Sequence, residues 1–362
     1  MDSAENNRLY GLQALRFVAA FLVLFGHVQF EAVSRGMMTE DALSAFSFFT
    51  WGNGVDIFFV ISGFIMFHIS AKMFGTERAQ ARFLSKRFIR LVPLYWFFTS
   101  AMLLAMAVLP GQIQHTVFDL AHIAASYVFI PWLNNFGDAH PVLGLGWTLN
   151  YEMYFYVVFS FMLLLPVRAA LWALAVLFVA LALLNPVIPA DLVQLKFWSD
   201  PIIVEFLFGI GIAYLLQKRV ILPTGAPAAL AVIGFAAMIV LPHLPLPVAY
   251  ARLISAGLPA AMVVMGFAFG RFNASSRLGR WLVIGGDASY ALYLSHPFSI
   301  NVVELVWSRF RLGQPWMFII VVTLMAIAAS IAVHFILEKP LTKALNQWFA
   351  MGRGKPAINA AE

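Results

Sequence analysis

An arginine and a histidine, Arg16 and His27, interrupt the first long apolar run of the sequence. On an α-helix, eleven steps of about 100° return to within about 20° of the starting direction and rise about 16 Å. The two side chains are therefore expected on one helix face at different depths. Ionisable residues inside an apolar helix are costly and mark functional sites by default. The structural alternative is that Arg16 extends to the interface while His27 bonds a backbone carbonyl.

Carboxylates that could act with His27 follow in later apolar segments. Asp56 and Glu152 fall near the same depth as His27, and so do Glu205 and His296. A carboxylate beside a histidine orients the ring and stabilises its protonated form, as a general base requires. We therefore expect Asp56 or Glu152 to orient His27. The alternative for both carboxylates is interhelical hydrogen bonding or exposure at the membrane interface.

A basic segment precedes the third apolar run. Arg87 and Arg90 are three positions apart, so on a helix they share a face. Together with Lys86 they could clamp a phosphate or pyrophosphate. The alternative is that these cations anchor the helix against anionic lipid headgroups.

Several common chemistries have no signature here. The chain has no cysteine, which excludes disulfides, thiolate metal sites and a thiol nucleophile. It also lacks a Walker loop, a Gly-x-Gly-x-x-Gly fingerprint, a His-Glu-x-x-His zinc motif and a Gly-x-Ser-x-Gly elbow. We predict no metal site and no tightly bound cofactor.

The candidate residues must be positioned by membrane helices. Hydrophobic residues make up 62% of the 362 positions and charged residues 11%, against about 25% charged residues in a soluble domain. A membrane-spanning helix needs roughly 20 mostly apolar residues. On that scale the sequence predicts an all-α, polytopic membrane bundle of about ten helices, over 11–30, 52–69, 91–109, 147–165, 169–185, 201–216, 226–241, 252–269, 282–305 and 315–337.

Lysine and arginine predict the orientation of this bundle. With ten spans and a cytoplasmic N-terminus, 17 of the 23 fall in cytoplasmic segments, 5 fall outside and Arg16 lies in the membrane. This bias predicts that both termini are cytoplasmic. The connection over 110–146 has no lysine or arginine, as expected of an external loop. We expect one membrane domain over 1–345 and a short cytoplasmic tail over 346–362.

Against this background the sequence resembles the acyltransferase-3 family of bacterial inner-membrane proteins. The similarity extends over about residues 9–345 and rests on six segments in the family's order. They are the Arg16–His27 pair, Phe58–Phe64, Arg87–Arg90, Trp147–Glu152, Ser289–Pro297 and Glu338–Pro340.

The resemblance implies transfer of an acyl group, usually acetyl from acetyl-CoA, to a hydroxyl of an extracytoplasmic or lipid-linked glycan. Length and architecture look similar to stand-alone exopolysaccharide O-acetyltransferases of the bacterial inner membrane. Some family members carry a C-terminal esterase-like domain that this sequence lacks. The expected partners are therefore acyl-CoA, the glycan acceptor, membrane lipids and glycan-assembly proteins, and not nucleic acid.

The resemblance also suggests roles for particular residues. His27 would be the general base or carry a transient acyl group, and Arg16, Asp56 and Glu152 would complete the catalytic group. Arg87, Arg90, Lys86 and Tyr95 would hold the acyl-CoA, while Trp147, Asn150, Tyr151 and His296 would bind the acceptor.

Two other classes of protein fit part of the pattern. A transporter or flippase of a lipid-linked sugar would also have many spans and buried charges, although related halves with matching broken helices are not evident. A structural scaffold explains the loop charges but not Arg16 and His27. Consumption of acyl-CoA separates the enzyme from both.

Overall fold

The protein is a bundle of α-helices in the computed structural model, which describes residues 3–108, 119–310, 313 and 315–351. No β-strand occurs among these residues. The helices are α1 Ser3–Ser34, α2 Gly54–Ser70, α3 Ala79–Val108, α4 Leu120–Tyr127, α5 Trp147–Met162, α6 Val167–Leu184, α7 Val193–Trp198, α8 Val204–Gln217, α9 Ala226–Val240, α10 Leu258–Phe269, α11 Arg277–Asp287, α12 Ser289–Arg309, α13 Pro315–Val333 and α14 Lys339–Met351.

Seven helical segments in the described part are long and apolar enough to cross a membrane. This confirms an all-helical, membrane-type protein, whereas the count of ten spans and the sides of the termini remain predictions. Two of the predicted spans are short helices: α5 has 16 residues and α8 has 14. They rise about 24 Å and 21 Å, less than the roughly 30 Å of a hydrocarbon core. The third predicted span that is not among these seven segments, 282–305, lies mostly on α12, which has polar residues and Pro297 in its middle.

Helix α2 lies at the centre of the bundle, and most of its side chains are buried. Its closest neighbour is α8. A methyl group added at Gly63 would lie 2.0 Å from the Phe206 carbonyl oxygen, and one at Gly209 would lie 1.9 Å from that of Val60. Small residues allow membrane helices to approach this closely. This contact places Asp56 and Glu205, each in the first turn of its helix, next to one another.

The connection between α3 and α5 contains the short helix α4, while residues 109–118 lie outside the described part. The buried Tyr95 hydroxyl donates to the Ser126 carbonyl at 3.0 Å, which ties α3 to α4. At the other end of the chain, α14 runs across the boundary predicted between 345 and 346.

The α2–α8 contact gives a matched pair of glycine substitutions. Gly209→Ala should lower stability by about 1–3 kcal/mol because backbone atoms cannot yield to the methyl group. Gly211→Ala, two residues along, has nothing within 4 Å and should be neutral or stabilising. Thermal unfolding in detergent measures both; equal midpoints for the two variants would contradict the close contact.

The absence of cysteine makes the predicted orientation directly testable. Single cysteines at the exposed positions Ser47 and Ser275 should behave oppositely toward a membrane-impermeant maleimide on spheroplasts. We expect Ser47→Cys to be labelled from outside, and Ser275→Cys to be labelled only after lysis. Labelling of both from outside would rule out the ten-span topology.

Candidate functional site

A cavity of about 140 Å³ lies among α1, α2, α3, α5 and α12, and we call it the central cavity. Its charged residues are Arg16, Arg87, Arg90 and Glu152. The sequence predicted functional roles for all four, and the fold brings them together from three helices. Three guanidinium groups facing one carboxylate make this cavity suited to an anionic ligand.

Glu152 is held by two hydroxyl groups. The Ser62 hydroxyl donates to Glu152 Oε1 at 3.0 Å, and the Tyr156 hydroxyl donates to the same oxygen in a short hydrogen bond. Tyr156 lies one helical turn after Glu152, so both side chains face the cavity from α5. These bonds fix the carboxylate on the cavity wall opposite the arginines.

The guanidinium groups have different partners. Arg90 Nη1 lies 2.6 Å from Oε1 of the buried Glu338, and the other oxygen of Glu338 lies 2.8 Å from His334 Nδ1. Arg16 donates to Gln13 Oε1 at 3.3 Å. Arg87 Nε is buried and has no hydrogen-bond partner in the described part of the chain. Arg87 therefore retains donor capacity for a ligand in the cavity.

Two tyrosines of α12 form another wall of the central cavity. The Tyr290 hydroxyl donates to the Leu91 carbonyl at 2.7 Å, joining α12 to α3. The Tyr293 hydroxyl lies 3.0 Å from the Leu145 carbonyl oxygen and 2.8 Å from Thr148 Oγ1. Behind this wall, the Tyr293 ring lies 6.2 Å from the ring of His296.

His296 and His27 face one another with their ring centroids 5.1 Å apart. In both, Nδ1 lies 2.9 Å from the carbonyl oxygen four residues earlier, that of Val23 for His27 and of Leu292 for His296. A carbonyl only accepts, so each Nδ1 carries the hydrogen and each Nε2 is left as an acceptor when the ring is neutral. Nε2 of His296 is buried without a partner among the described residues. The pair can therefore receive a hydroxyl proton.

This geometry corrects the expectation that Asp56 or Glu152 orients His27. Glu152 lies in the central cavity, on α5. Asp56 is fully buried and forms a bidentate ion pair with Arg252, with distances of 3.0 and 3.1 Å. The backbone carbonyl of Val23 orients His27 instead. Arg252 also lies 5.5 Å from the Trp147 ring centroid, over its face.

The remaining predicted site residues lie elsewhere. Lys86 is exposed and Tyr95 is buried against Phe129, and neither lines the central cavity. Tyr151 is buried with its ring stacked on Phe197 at 4.1 Å. Asn150 is fully buried, and its amide nitrogen and oxygen have no partner among the described residues.

Sequence reasoning missed the hydroxyl groups that complete the site. Ser62 and Tyr156 bond Glu152, and Tyr293 lines the cavity with its ring beside that of His296. The spacing of four residues from Glu152 to Tyr156 could have predicted their contact, because residues four apart on a helix are neighbours. The partnership of Arg252 with Asp56 had no such signal, because the two residues are 196 positions apart.

Comparisons with known proteins agree with one another. A family model described as an acyltransferase domain, of the acyltransferase-3 type, matches residues 9–335. The exopolysaccharide production protein ExoZ of Rhizobium meliloti is 34% identical over 294 residues, which are 80% of this chain and 89% of that protein. The putative peptidoglycan O-acetyltransferase YrhL of Bacillus subtilis is 25% identical, over 91% of this chain and 54% of that protein. No solved structure matches the chain.

The Asp56–Arg252 pair should respond asymmetrically to substitution. Arg252→Met leaves a fully buried carboxylate unpaired, whereas Asp56→Asn leaves an arginine whose side chain is 46% exposed and can reach water. Removing one partner of a buried pair lowers the free energy of unfolding by about 3–5 kcal/mol. The loss is smaller for Asp56→Asn, because the remaining Arg252 side chain is partly exposed. The midpoint of thermal unfolding should be lower for Arg252→Met than for Asp56→Asn, and it should be higher for the double variant than for Arg252→Met. The reverse ranking would refute the pairing as described.

Proposed function

Because the chain belongs to the acyltransferase-3 family of membrane O-acyltransferases, we propose that it transfers an acetyl group from acetyl-CoA to a glycan hydroxyl. The donor enters from the cytoplasm, and the acceptor is an extracytoplasmic or lipid-linked glycan such as exopolysaccharide. The protein acts in the bacterial inner membrane. The observation that carries this proposal is the arrangement of an arginine-lined cavity and a facing histidine pair on the two sides of Tyr293.

The central cavity is suited to the anionic donor. CoA carries phosphate and pyrophosphate groups, which guanidinium groups recognise through charge-assisted hydrogen bonds. Arg87 and Arg90 bind the pyrophosphate at the cavity mouth, and Arg87 Nε, which has no partner among the described residues, supplies one donor. Arg16 is about 16 Å along α1 from His27, so we assign it to the donor and not to the reacting carbonyl.

The pantetheine arm then carries the thioester past Tyr293 towards the histidines. The cavity wall there is apolar and aromatic, with Phe58 and Tyr293 in edge-to-face contact at 6.3 Å. An apolar surrounding excludes water, which would otherwise hydrolyse the thioester. Passage requires a change at this wall, and the Tyr293 hydroxyl bonds to Thr148 and Leu145 are the ones that open.

His27 is the general base in this proposal. Its Nε2 accepts the proton of the acceptor hydroxyl while the hydroxyl oxygen forms a bond to the thioester carbonyl carbon. The tetrahedral intermediate collapses with cleavage of the carbon–sulfur bond, and the CoA thiolate takes the proton from the imidazolium. His296 lies beside His27 and accepts a second hydroxyl hydrogen bond from the sugar. An acyl group carried transiently by His27 is a variant of the same chemistry.

The names of the relatives support a cell-envelope glycan as the acceptor. One relative is named for exopolysaccharide production and the other as a putative peptidoglycan O-acetyltransferase. Trp147 lies half-buried at the start of α5, and Arg252 lies over one face of its ring. A sugar ring packs on an aromatic face through its C–H groups, so we assign the face of Trp147 away from Arg252 to the acceptor side.

Replacement of His27 tests the proposal. Purified wild type should transfer label from acetyl-[14C]CoA to envelope glycan of the host, and His27→Ala should lower kcat by about 10²–10⁴-fold because it removes the base. His243→Ala, at an exposed position outside both features, should behave as wild type. Wild-type activity of His27→Ala would exclude this mechanism. If wild type did not consume acetyl-CoA, the donor assignment would fall.

A further inference from the structure

A second cavity, of about 450 Å³, opens beside Arg90 between α3, α11 and α14, and we call it the α14 cavity. Lys339, Thr342, Lys343 and Asn346 line it from α14. Their spacing of three and four places these side chains on one face of that helix. The sequence-based assignment gave no role to any of them.

The α14 cavity has an excess of positive charge. Asp287 also lines it and accepts a short hydrogen bond from Gln13. Lys339 lies 5.4 Å from the Phe335 ring centroid. Lys343 is exposed and forms no ion pair within the described part of the chain. Two lysines therefore line an open cavity, with Thr342 between them.

Arg90 lines both the α14 cavity and the central cavity. Counted together, the two cavities and Glu338 contain five cationic side chains and three carboxylates. The central cavity holds Arg16, Arg87 and Arg90 with Glu152, whereas the α14 cavity shares Arg90 and adds two lysines with Asp287, so both cavities carry more cations than carboxylates. A ligand with two separate phosphate groups would match these two neighbouring cationic cavities.

We propose that the α14 cavity binds the 3′-phosphoadenosine end of the acyl-CoA, with Lys343 and Lys339 on the 3′-phosphate. This inference rests on the proposed function and extends its donor site to α14. Arg90, at the junction, then contacts the pyrophosphate, and the pantetheine arm continues into the central cavity. The same phosphate chemistry would also suit an anionic lipid headgroup, so the test must separate these two sources.

Comparison of acetyl-CoA with acetyl-3′-dephospho-CoA isolates the contact. Loss of one charge-assisted hydrogen bond to a phosphate corresponds to roughly a tenfold change in affinity. We expect wild type to show a KM about tenfold lower or more for acetyl-CoA than for the dephospho form. Lys343→Gln should raise the KM for acetyl-CoA about tenfold. It should leave the KM for acetyl-3′-dephospho-CoA and both kcat values unchanged, so the preference for acetyl-CoA over the dephospho form disappears.

Two control variants sharpen the result. Lys343→Arg keeps the charge and should keep the preference. Lys72→Gln makes the same chemical change at an exposed lysine outside both cavities and should leave both KM values unchanged. Equilibrium dialysis of radiolabelled CoA and 3′-dephospho-CoA provides a readout that does not depend on turnover, and it should show the same ratios.

The outcomes distinguish the two levels of the proposal. If Lys343→Gln raised both KM values equally, or neither, the 3′-phosphate would not bind at Lys343 and the inference would be wrong. An effect seen only in nanodiscs with anionic lipid, and equal for both donors, would identify a lipid headgroup site and also overturn it. If wild type neither bound nor consumed either donor, the proposed function itself would fail, and this extension with it.

Discussion

Charge buried in an apolar bundle has to be compensated inside the protein, and this constraint governs how the helices around the central cavity meet. Glu338 is almost fully buried, and it is stabilised by Arg90 at 2.6 Å and His334 at 2.8 Å. These contacts join α3 to the π-helical turn that precedes α14. Asp56 of α2 is compensated by Arg252 in the same way. Each pair is costly to break, because the buried carboxylate would remain charged without a partner or water. The pairs therefore fix the helix registers that form the site.

Compensation is incomplete at the arginines of the central cavity, and we regard this as the basis of ligand binding. Within the described part of the chain, Arg87 keeps a buried nitrogen without a partner, and two lysines of α14 line the neighbouring α14 cavity. The histidine pair is different, since backbone carbonyls and not carboxylates hold both rings. Without a carboxylate bonded to it, the protonated ring is less stabilised, so it returns its proton readily. We thus assign donor binding to the arginine-lined central cavity and proton transfer to the histidine pair, with Tyr293 in contact with both.

The sequence predicted the class of fold, and it singled out Arg16 and Glu152 as charges in apolar segments and Arg87 and Arg90 by their spacing. It placed Glu152 beside His27, however, and not with the arginines that it meets in the central cavity. It could not predict pairings between distant segments. Asp56 was expected beside His27 from depth alone, but depth does not specify which face of α2 meets which helix. The close contact at Gly63 and Gly209 decides that question. The spans predicted over 147–165 and 201–216 coincide with α5 and α8, but apolar length alone did not show that these helices are shorter than a full crossing.

The most direct test of the account is a cryo-electron microscopy structure of the wild type in lipid nanodiscs with a non-hydrolysable acetyl-CoA analogue. We expect nucleotide density against Lys343 and Arg90, the pantetheine arm in the central cavity, and the acetyl carbon near Nε2 of His27 with the Tyr293 hydroxyl displaced from Thr148. Density for the acetyl group that ends at Glu152 with His27 and His296 unchanged, or a nucleotide bound away from these cavities, would contradict the route and the role of His27.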